Sequence, residues 1–197
     1  MKYPDIKLGE FEYAALIGSI LGDTHIGIDS KGIEARLNFA HCKEQEEYFN
    51  NKFEMFKCFG GGTKYYEKED KRTGKVYCKF TYTSQCNPVL TQLQERFYKD
   101  KVKIVPKDIA KDFNDISLAY LFMDDGSHHK NGYYISLCNF TKGELQMFVD
   151  MLKDKFDLKC SIHSQRAIYI WKQSVTKFNQ LVEPYILPCM QYKLLRS

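Results

Sequence analysis

Two apolar runs about a hundred positions apart end in a carboxylate at the same relative place, and this repetition limits the fold more than any other feature. The first is Leu16-Ile17-Gly18-Ser19-Ile20-Leu21-Gly22-Asp23-Thr24 and the second is Leu118-Ala119-Tyr120-Leu121-Phe122-Met123-Asp124-Asp125-Gly126. An apolar helix seldom ends on an acid for packing reasons, because a buried, unpaired charge is costly. A chain that does so twice, once in each half, is built to bring two acids together. In the first run Ala15, Gly18 and Gly22 share one helical face with almost no side-chain bulk. Glycine costs a helix about 1 kcal/mol relative to alanine. Two glycines on one face therefore predict the close approach of another backbone.

The rest of the pattern predicts the same order of elements twice. The first half reads as a helix over 9–22, a hairpin over 24–38 and a helix over 43–59 stopped by Gly60-Gly61-Gly62. A second hairpin turning at 71–74 and a helix over 88–98 follow, and a charged connector spans 99–113. The second half predicts helix 116–124, a strand over 133–139, helix 142–156, strands near 159–163 and 167–171, and helix 175–185. Each half is thus helix, two strands, helix, two strands, helix. The halves are 1–105 and 106–197, and the fold class is α+β.

Bulk properties narrow the function classes. With 197 residues, 44% of them hydrophobic, the chain can bury one ordinary core or two small fused ones. A net charge of +4 permits an acidic partner without demanding one. The seven cysteines are odd in number, scattered and without a C-x-x-C pair. That argues against a disulfide framework or a zinc ribbon and for a reducing compartment. Neither an apolar signal region nor a run of roughly 18 apolar residues is present. The expectation is a soluble intracellular protein with no membrane partner, cytoplasmic or organellar, mitochondrion and chloroplast not being distinguished.

The two runs fit the LAGLIDADG pattern position by position, with Leu16 and Leu118 at its first letter and Asp23 and Asp125 at its eighth. The chain resembles the LAGLIDADG homing endonucleases, specifically the single-chain members with two motifs. The likeness is strongest from Ser117 to Leu194, including Pro184-Tyr185-Ile186-Leu187-Pro188-Cys189-Met190-Gln191-Tyr192-Lys193-Leu194. The resemblance implies two pseudo-symmetric αββαββα halves folded as one compact pseudo-two-fold unit, with the motif helices side by side. Antiparallel sheets would form a DNA-binding saddle. It also implies a monomer that cleaves double-stranded DNA at a long recognition site. Each strand would be cut once across the minor groove, leaving short 3′ overhangs, in the service of intron or intein homing.

The chemistry suits the residues. Phosphodiester hydrolysis needs divalent metal to polarise the phosphate and stabilise the leaving oxygen, and Mg²⁺ takes oxygen ligands while keeping several waters. Acids at helix C-termini add to the partial negative charge already there. By resemblance Asp23 and Asp125 are the catalytic metal ligands for Mg²⁺ or Mn²⁺, two or three ions in all. Gly22 and Asp124, at the motif's seventh position, are accessory metal contacts. Lys103 and Lys193 match the basic residues placed beside the two active sites, where an ammonium stabilises the transition state or orients water. His41 and Asn139 are candidates for holding metal-bound water. His128 and His129 cannot both point one way on a strand and fit phosphate or solvent contacts better than metal ligation.

DNA contacts are expected from Arg36, Lys64, Lys68, Arg72, Lys75 and Lys79 in the first half, and from Lys130, Lys159, Arg166 and Lys172 in the second. Tyr120 stands where the motif prefers glycine, and Gly18 and Gly22 are expected to receive it. Shorter hairpins after Asp125 and around Ser164 and Gln165 imply a smaller second recognition surface. The alternative function is an RNA-binding maturase on the same scaffold, with host intron RNA as partner. The two retained acids favour cleavage, since an RNA chaperone needs neither.

Overall fold

The computed structural model describes residues 6–29, 32–163 and 166–195, so Ser164 and Gln165 lie outside the described residues. Contacts divide the chain into two compact units. One is Asp23–Arg96 with the segment before Gly9. The other joins Gly9–Gly22 to the chain from Phe97 onward. These boundaries differ from the repeat boundary at 105/106, because the first motif helix packs on the second and is grouped with it.

The first unit is a four-stranded antiparallel sheet with a helix on one face. Its strands β1 (His25–Ile28), β2 (Ala35–Cys42), β3 (Gly62–Glu69) and β4 (Val76–Thr83) lie in the order β1-β2-β4-β3. In β2, Ala35, Leu37, Phe39 and His41 are buried while Arg36, Asn38, Ala40 and Cys42 alternate on the open side. This is the period-two signature of a half-buried strand. Helix α1 (Glu10–Leu21) belongs to the second unit, so the covering helix here is α2 (Glu46–Phe56). Its Phe49 ring lies 5.4 Å from Phe39 and its Phe53 ring 5.4 Å from Tyr82. Tyr82 completes the join by donating its hydroxyl to Phe56 O at 3.0 Å and Gly60 O at 2.6 Å. Helix α3 (Pro88–Phe97) follows.

The second unit repeats the plan on shorter strands. After the two-residue strands β5 (Tyr98–Lys99) and β6 (Val102–Lys103) come α4 (Asp115–Asp125), β7 (Gly126–His129), β8 (Gly132–Ser136) and α5 (Lys142–Phe156). Strands β9 (Cys160–Ile162) and β10 (Ala167–Ile170) and helix α6 (Val175–Val182) complete it, with the sheet in the order β7-β8-β10-β9. No strand of this sheet exceeds five residues, whereas β2, β3 and β4 have eight each. Among the described residues no helix is long and apolar enough to cross a membrane. All seven cysteines are free thiols.

Helices α1 and α4 meet as the small-residue face predicts, but with a different partner. A Cβ on Gly18 would stand 2.1 Å from Ser117 O, and one on Gly22 would stand 2.7 Å from Asp124 Cβ. Ser117 Oγ donates to Ala14 O at 2.8 Å, so the seam carries a hydrogen bond as well as close packing. The pairs Ala14–Ser117 and Gly22–Asp124 show that the helices run the same way. The residues nearest Gly18 and Gly22 are thus Ser117 and Asp124 rather than Tyr120. Tyr120 is fully buried and packs edge-on against Phe11, with ring centroids 6.2 Å apart. Long side chains point back over the preceding helical turn, which carries the Tyr120 ring past the glycines.

The connector read as plain charged chain is a hairpin. Asp100 and Lys101 both have positive φ, 50° and 65°, the backbone of a two-residue turn that usually calls for Asn-Gly. Downstream, Val105 N–H donates to Glu144 Oε1 at 3.0 Å. Glu144 also closes a reciprocal cap with Thr141 at the start of α5. Burial pushes the Glu144 carboxyl up. The hydrogen bonds from the Thr141 hydroxyl, Thr141 N–H and Val105 N–H outweigh it and hold Glu144 below its ordinary value.

Replacing Gly18 with leucine is expected to separate α1 from α4, costing more than the roughly 1–3 kcal/mol of ordinary overpacking because the obstacle is backbone. Urea unfolding measures this, and a variant with an unchanged midpoint would refute the seam. Glu144→Gln is expected to cost about 1–2 kcal/mol at neutral pH. A depressed carboxylate stabilises above its unfolded value of about 4.3, and the contribution is lost as pH falls through the lower folded value. The gap between wild type and variant should therefore close on acidification, as followed by thermal unfolding across pH.

Candidate active site

One lysine holds the end of each motif helix in the same manner. Lys103 Nζ donates to Gly22 O at 2.7 Å. Lys193 Nζ donates to Asp124 O at 3.2 Å and also to Met123 O. Gly22 and Asp124 are the seventh residues of their motifs, so each lysine binds the carbonyl that immediately precedes the motif acid. Cations at helix C-termini satisfy carbonyls that lack an intrahelical donor and complement the dipole. The lysines arrive by unrelated routes. Lys103 is half-buried at the end of β6, and Lys193 is 8% exposed at the end of a 3-10 segment over Pro188–Lys193.

The acids themselves differ in setting. Asp125 is the last residue of α4 and half-buried, and β7 begins at the next residue. That abrupt switch requires Gly126, since a Cβ there would lie 2.1 Å from the Phe122 ring. Asp124 lies beside Tyr120, whose hydroxyl is pushed up by burial and then by the negative charges of Asp124 and Glu12, so it stays a neutral phenol. Asp23 is exposed and opens the first unit, lining a shallow groove with His25, Asn38, Tyr66, Lys79, Thr81 and Thr83.

His41 lies close to Asp23. A ring nitrogen of His41 and a carboxylate oxygen of Asp23 are within 4.8 Å of one another. The ring is 4% exposed, packs 4.7 Å from Tyr48, and has Nδ1 3.3 Å from Gln45 Oε1. In the tautomer that donates Nδ1–H to Gln45, Nε2 is presented as a lone pair, the form that binds metal or accepts from water. The Asp23 carboxylate is a donor that would suit Mg²⁺ or Mn²⁺, whereas the imidazole fits a contact to a water of such an ion better than direct ligation.

Strand register shows that the second half does not repeat this imidazole. His25 pairs with Asn38 two residues after Asp23, and Ser127 pairs with Tyr134 two residues after Asp125. Three positions beyond these partners stand His41 and Leu137. Leu137 is buried, and its N–H donates to Arg166 O at 3.3 Å. Asn139, the residue expected to match His41, is two positions too far along. It is exposed in a turn, where it accepts from Cys138 Sγ at 3.8 Å.

The expected DNA contacts are all exposed, but they divide sharply. Cross-strand partners point to the same face. The pairs Gly27–Arg36, Cys42–Lys79, Tyr66–Lys79, Lys64–Thr81 and Lys68–Tyr77 therefore place Arg36, Lys64, Lys68 and Lys79 together on the open side of the first sheet. Glu67 and Glu69 lie on the opposite side. Arg72 and Lys75 sit in the β3–β4 turn, with Lys75 Nζ 5.1 Å from the Tyr77 ring. In the second unit Lys130, Lys159, Arg166 and Lys172 all lie outside the strands, at the ends of the sheet. His128 and His129 are exposed on β7 and alternate in direction, paired with Tyr133 and Gly132. The sequence reading missed the aromatic side chains on this sheet's open face; following strand parity in Tyr133-Tyr134 and Ile168-Tyr169 would have found them.

Comparison with known proteins agrees with this arrangement. The model of the LAGLIDADG DNA endonuclease family matches residues 13–178. The chain is 33% identical over 132 residues to the intron-encoded endonuclease ai4 of Dictyostelium discoideum, covering 64% of this chain and 81% of that protein. It is 28% identical over 200 residues to the cytochrome b mRNA maturase bI2 of Saccharomyces cerevisiae, covering 91% of this chain but only 46% of the maturase. Among solved structures, the homing endonuclease I-WcaI bound to its DNA recognition sequence superposes with a TM-score of 0.88 at 26% identity. That match covers 98% of this chain and 89% of the other.

Lys193→Met is expected to destabilise the fold by about 1–3 kcal/mol, because two carbonyls lose their donor in a buried setting. Lys103→Met, at a half-exposed site, should cost less. Chemical denaturation of the two variants side by side tests the ranking, and equal costs would contradict it.

Proposed function

The chain belongs to the LAGLIDADG DNA endonuclease family and is a homing endonuclease; we propose that it hydrolyses one phosphodiester on each strand of a long, specific DNA site, across the minor groove, leaving short 3′ overhangs. The observation that carries this reading is the matched pair of lysine contacts at the seventh motif position, which sets the motif acids Asp23 and Asp125 at equivalent places after two helix ends. We further propose that it acts as a monomer in a reducing compartment, its halves at 1–105 and 106–197 each serving one strand.

Asp23 and Asp125 would hold divalent metal, Mg²⁺ or Mn²⁺ and two or three ions in all, with the Gly22 carbonyl and Asp124 as accessory donors. Such an ion, when bound, polarises the phosphate and neutralises charge on the leaving oxygen. The protein supplies the rest. Lys103 and Lys193 fix the helix ends that carry the acids and put positive charge beside the phosphate. His41 holds water on the Asp23 side, its ring kept in orientation by Gln45 and Tyr48. Leu137 gives the Asp125 side no such group, so the two strands are cut at unequal rates. A second reading, an RNA-binding role in splicing the host intron, is supported by the likeness to the maturase and is compatible with cleavage.

The test is incubation of wild type, Asp23→Asn, Asp125→Asn and His41→Ala with a randomised duplex library and Mg²⁺, scoring each strand separately. Either Asn variant should lose double-strand cleavage by at least roughly 100-fold, and His41→Ala should slow one strand by roughly 10- to 100-fold. Should wild type cut no duplex, or both Asn variants still cut both strands, the assignment fails.

A further inference from the structure

The two lysines that meet the motif helices are held in place by different means. Lys103 belongs to a hairpin that holds itself, with Tyr98 paired to Lys103 and Ile104 N–H donating to Phe97 O at 2.8 Å. Lys193 ends a 3-10 segment of six residues, longer than the about three or four that this geometry usually sustains. Gln191 and Tyr192, immediately before it, are exposed. Poor internal hydrogen bonding makes such a segment dependent on anchors outside it.

Anchors stand on both sides of Lys193. Upstream, Met190 is fully buried. Downstream, Leu195 is gripped by its main chain. The Tyr133 hydroxyl accepts from Leu195 N–H at 2.8 Å and donates to Asn179 Oδ1 at 2.6 Å. Asn179 Nδ2 donates to Leu195 O at 3.2 Å. Both main-chain polar groups of Leu195 are thus taken by two side chains that also bond each other. Burial pushes the Tyr133 hydroxyl up, so it stays a phenol that donates. Its ring is fully buried, 5.1 Å from Phe122 of α4 and 4.8 Å from Phe178 of α6. Phe122 immediately precedes Met123, whose carbonyl Lys193 binds. One ring therefore ties the tail to the helix end that the tail's lysine serves.

Resting on the endonuclease reading, we propose that Tyr133 and Asn179 are positioning residues for Lys193 and govern cleavage of one strand only. Both act through the tail. They fix the main chain two residues beyond Lys193, which sets Nζ against the Met123 and Asp124 carbonyls. An ammonium acts on a phosphate as a point charge, so its effect falls as it is displaced. A misplacement of about 1 Å can cost about 100-fold in rate. Lys103 is held by its own ladder instead. The strand it serves therefore keeps its rate when the clamp on Leu195 is lost.

Single-turnover cleavage of the duplex enriched from a randomised library is followed with each strand labelled separately. Binding of the same duplex is followed by fluorescence anisotropy with Ca²⁺ present. Lys103→Met, the milder lysine variant, identifies the strand that Lys103 serves. Tyr133→Phe keeps the ring and its packing, and Asn179→Leu removes both amide bonds. Each should slow the other strand roughly tenfold or more and accumulate nicked duplex, with the Lys103 strand and the affinity unchanged. Hydrogen exchange over 186–195 should quicken by about tenfold in both, while exchange over 97–104 stays as in wild type. Equal slowing of both strands, or unchanged rates in a variant whose tail exchanges faster, overturns the positioning role and leaves the endonuclease reading standing. Unchanged exchange overturns the clamp itself. Should Asn179→Leu fail to fold, Tyr133→Phe decides alone. A wild type that cuts no duplex overturns both readings.

Discussion

The structure depends on how closely α1 and α4 approach one another. At Gly18 the gap is set by a main-chain carbonyl, that of Ser117, so any side chain would have to displace backbone rather than a flexible neighbour. Gly18 weakens α1 as an isolated helix by about 1 kcal/mol, and burial of Ala14 through Leu21 offsets that cost. The Ser117 hydroxyl bonded to Ala14 O fixes the helices along their length as well as across it. Everything chemical at their far ends inherits this register: Gly22 against Asp124, a lysine on each carbonyl, and an acid as the next residue. It also explains why α1, first in the chain, is compact with elements a hundred positions later.

The two halves agree in backbone and diverge in side chains. Strand order, ladder direction and the lysine contact at the seventh motif position repeat. His41 and Leu137, occupying the same ladder position, do not. Nor do the charges, since four cations stand on the open side of the first sheet's strands and none on those of the second. A repeat constrains what positions atoms in space, and it leaves each half free to change the groups that touch a ligand. The lysines illustrate this, since one reaches its carbonyl from a hairpin and the other from a 3-10 tail.

Much of the fold was legible because its signals are periodic and local. Helical spacing located α2 from Tyr48, Phe49 and Phe56, and alternation located β3 and β4. The acids and both lysines were legible through the motif and its tail. What was not legible depended on direction rather than on position. Tyr120 could not be placed until helix orientation sent it toward Phe11. Asn139 reads as the counterpart of His41 in the letters, and only the register of β7 on β8 sets Leu137 at that position. The β5–β6 hairpin escaped because its turn uses Asp100 and Lys101 where positive φ is usually announced by Asn or Gly.

The alternation of charge along β3 has a consequence apart from binding. In the sheet order β1-β2-β4-β3 this strand is an edge. Every one of its eight residues is exposed, leaving a row of main-chain groups open to another chain. The other edges, β1, β7 and β9, have four residues or fewer and offer little to pair with. On β3, lysines on one side and glutamates on the other mean that a second copy laid along it with the same faces together would meet like charges. The residues that make this strand attractive to a polyanion thus also keep it from joining its own kind into aggregates.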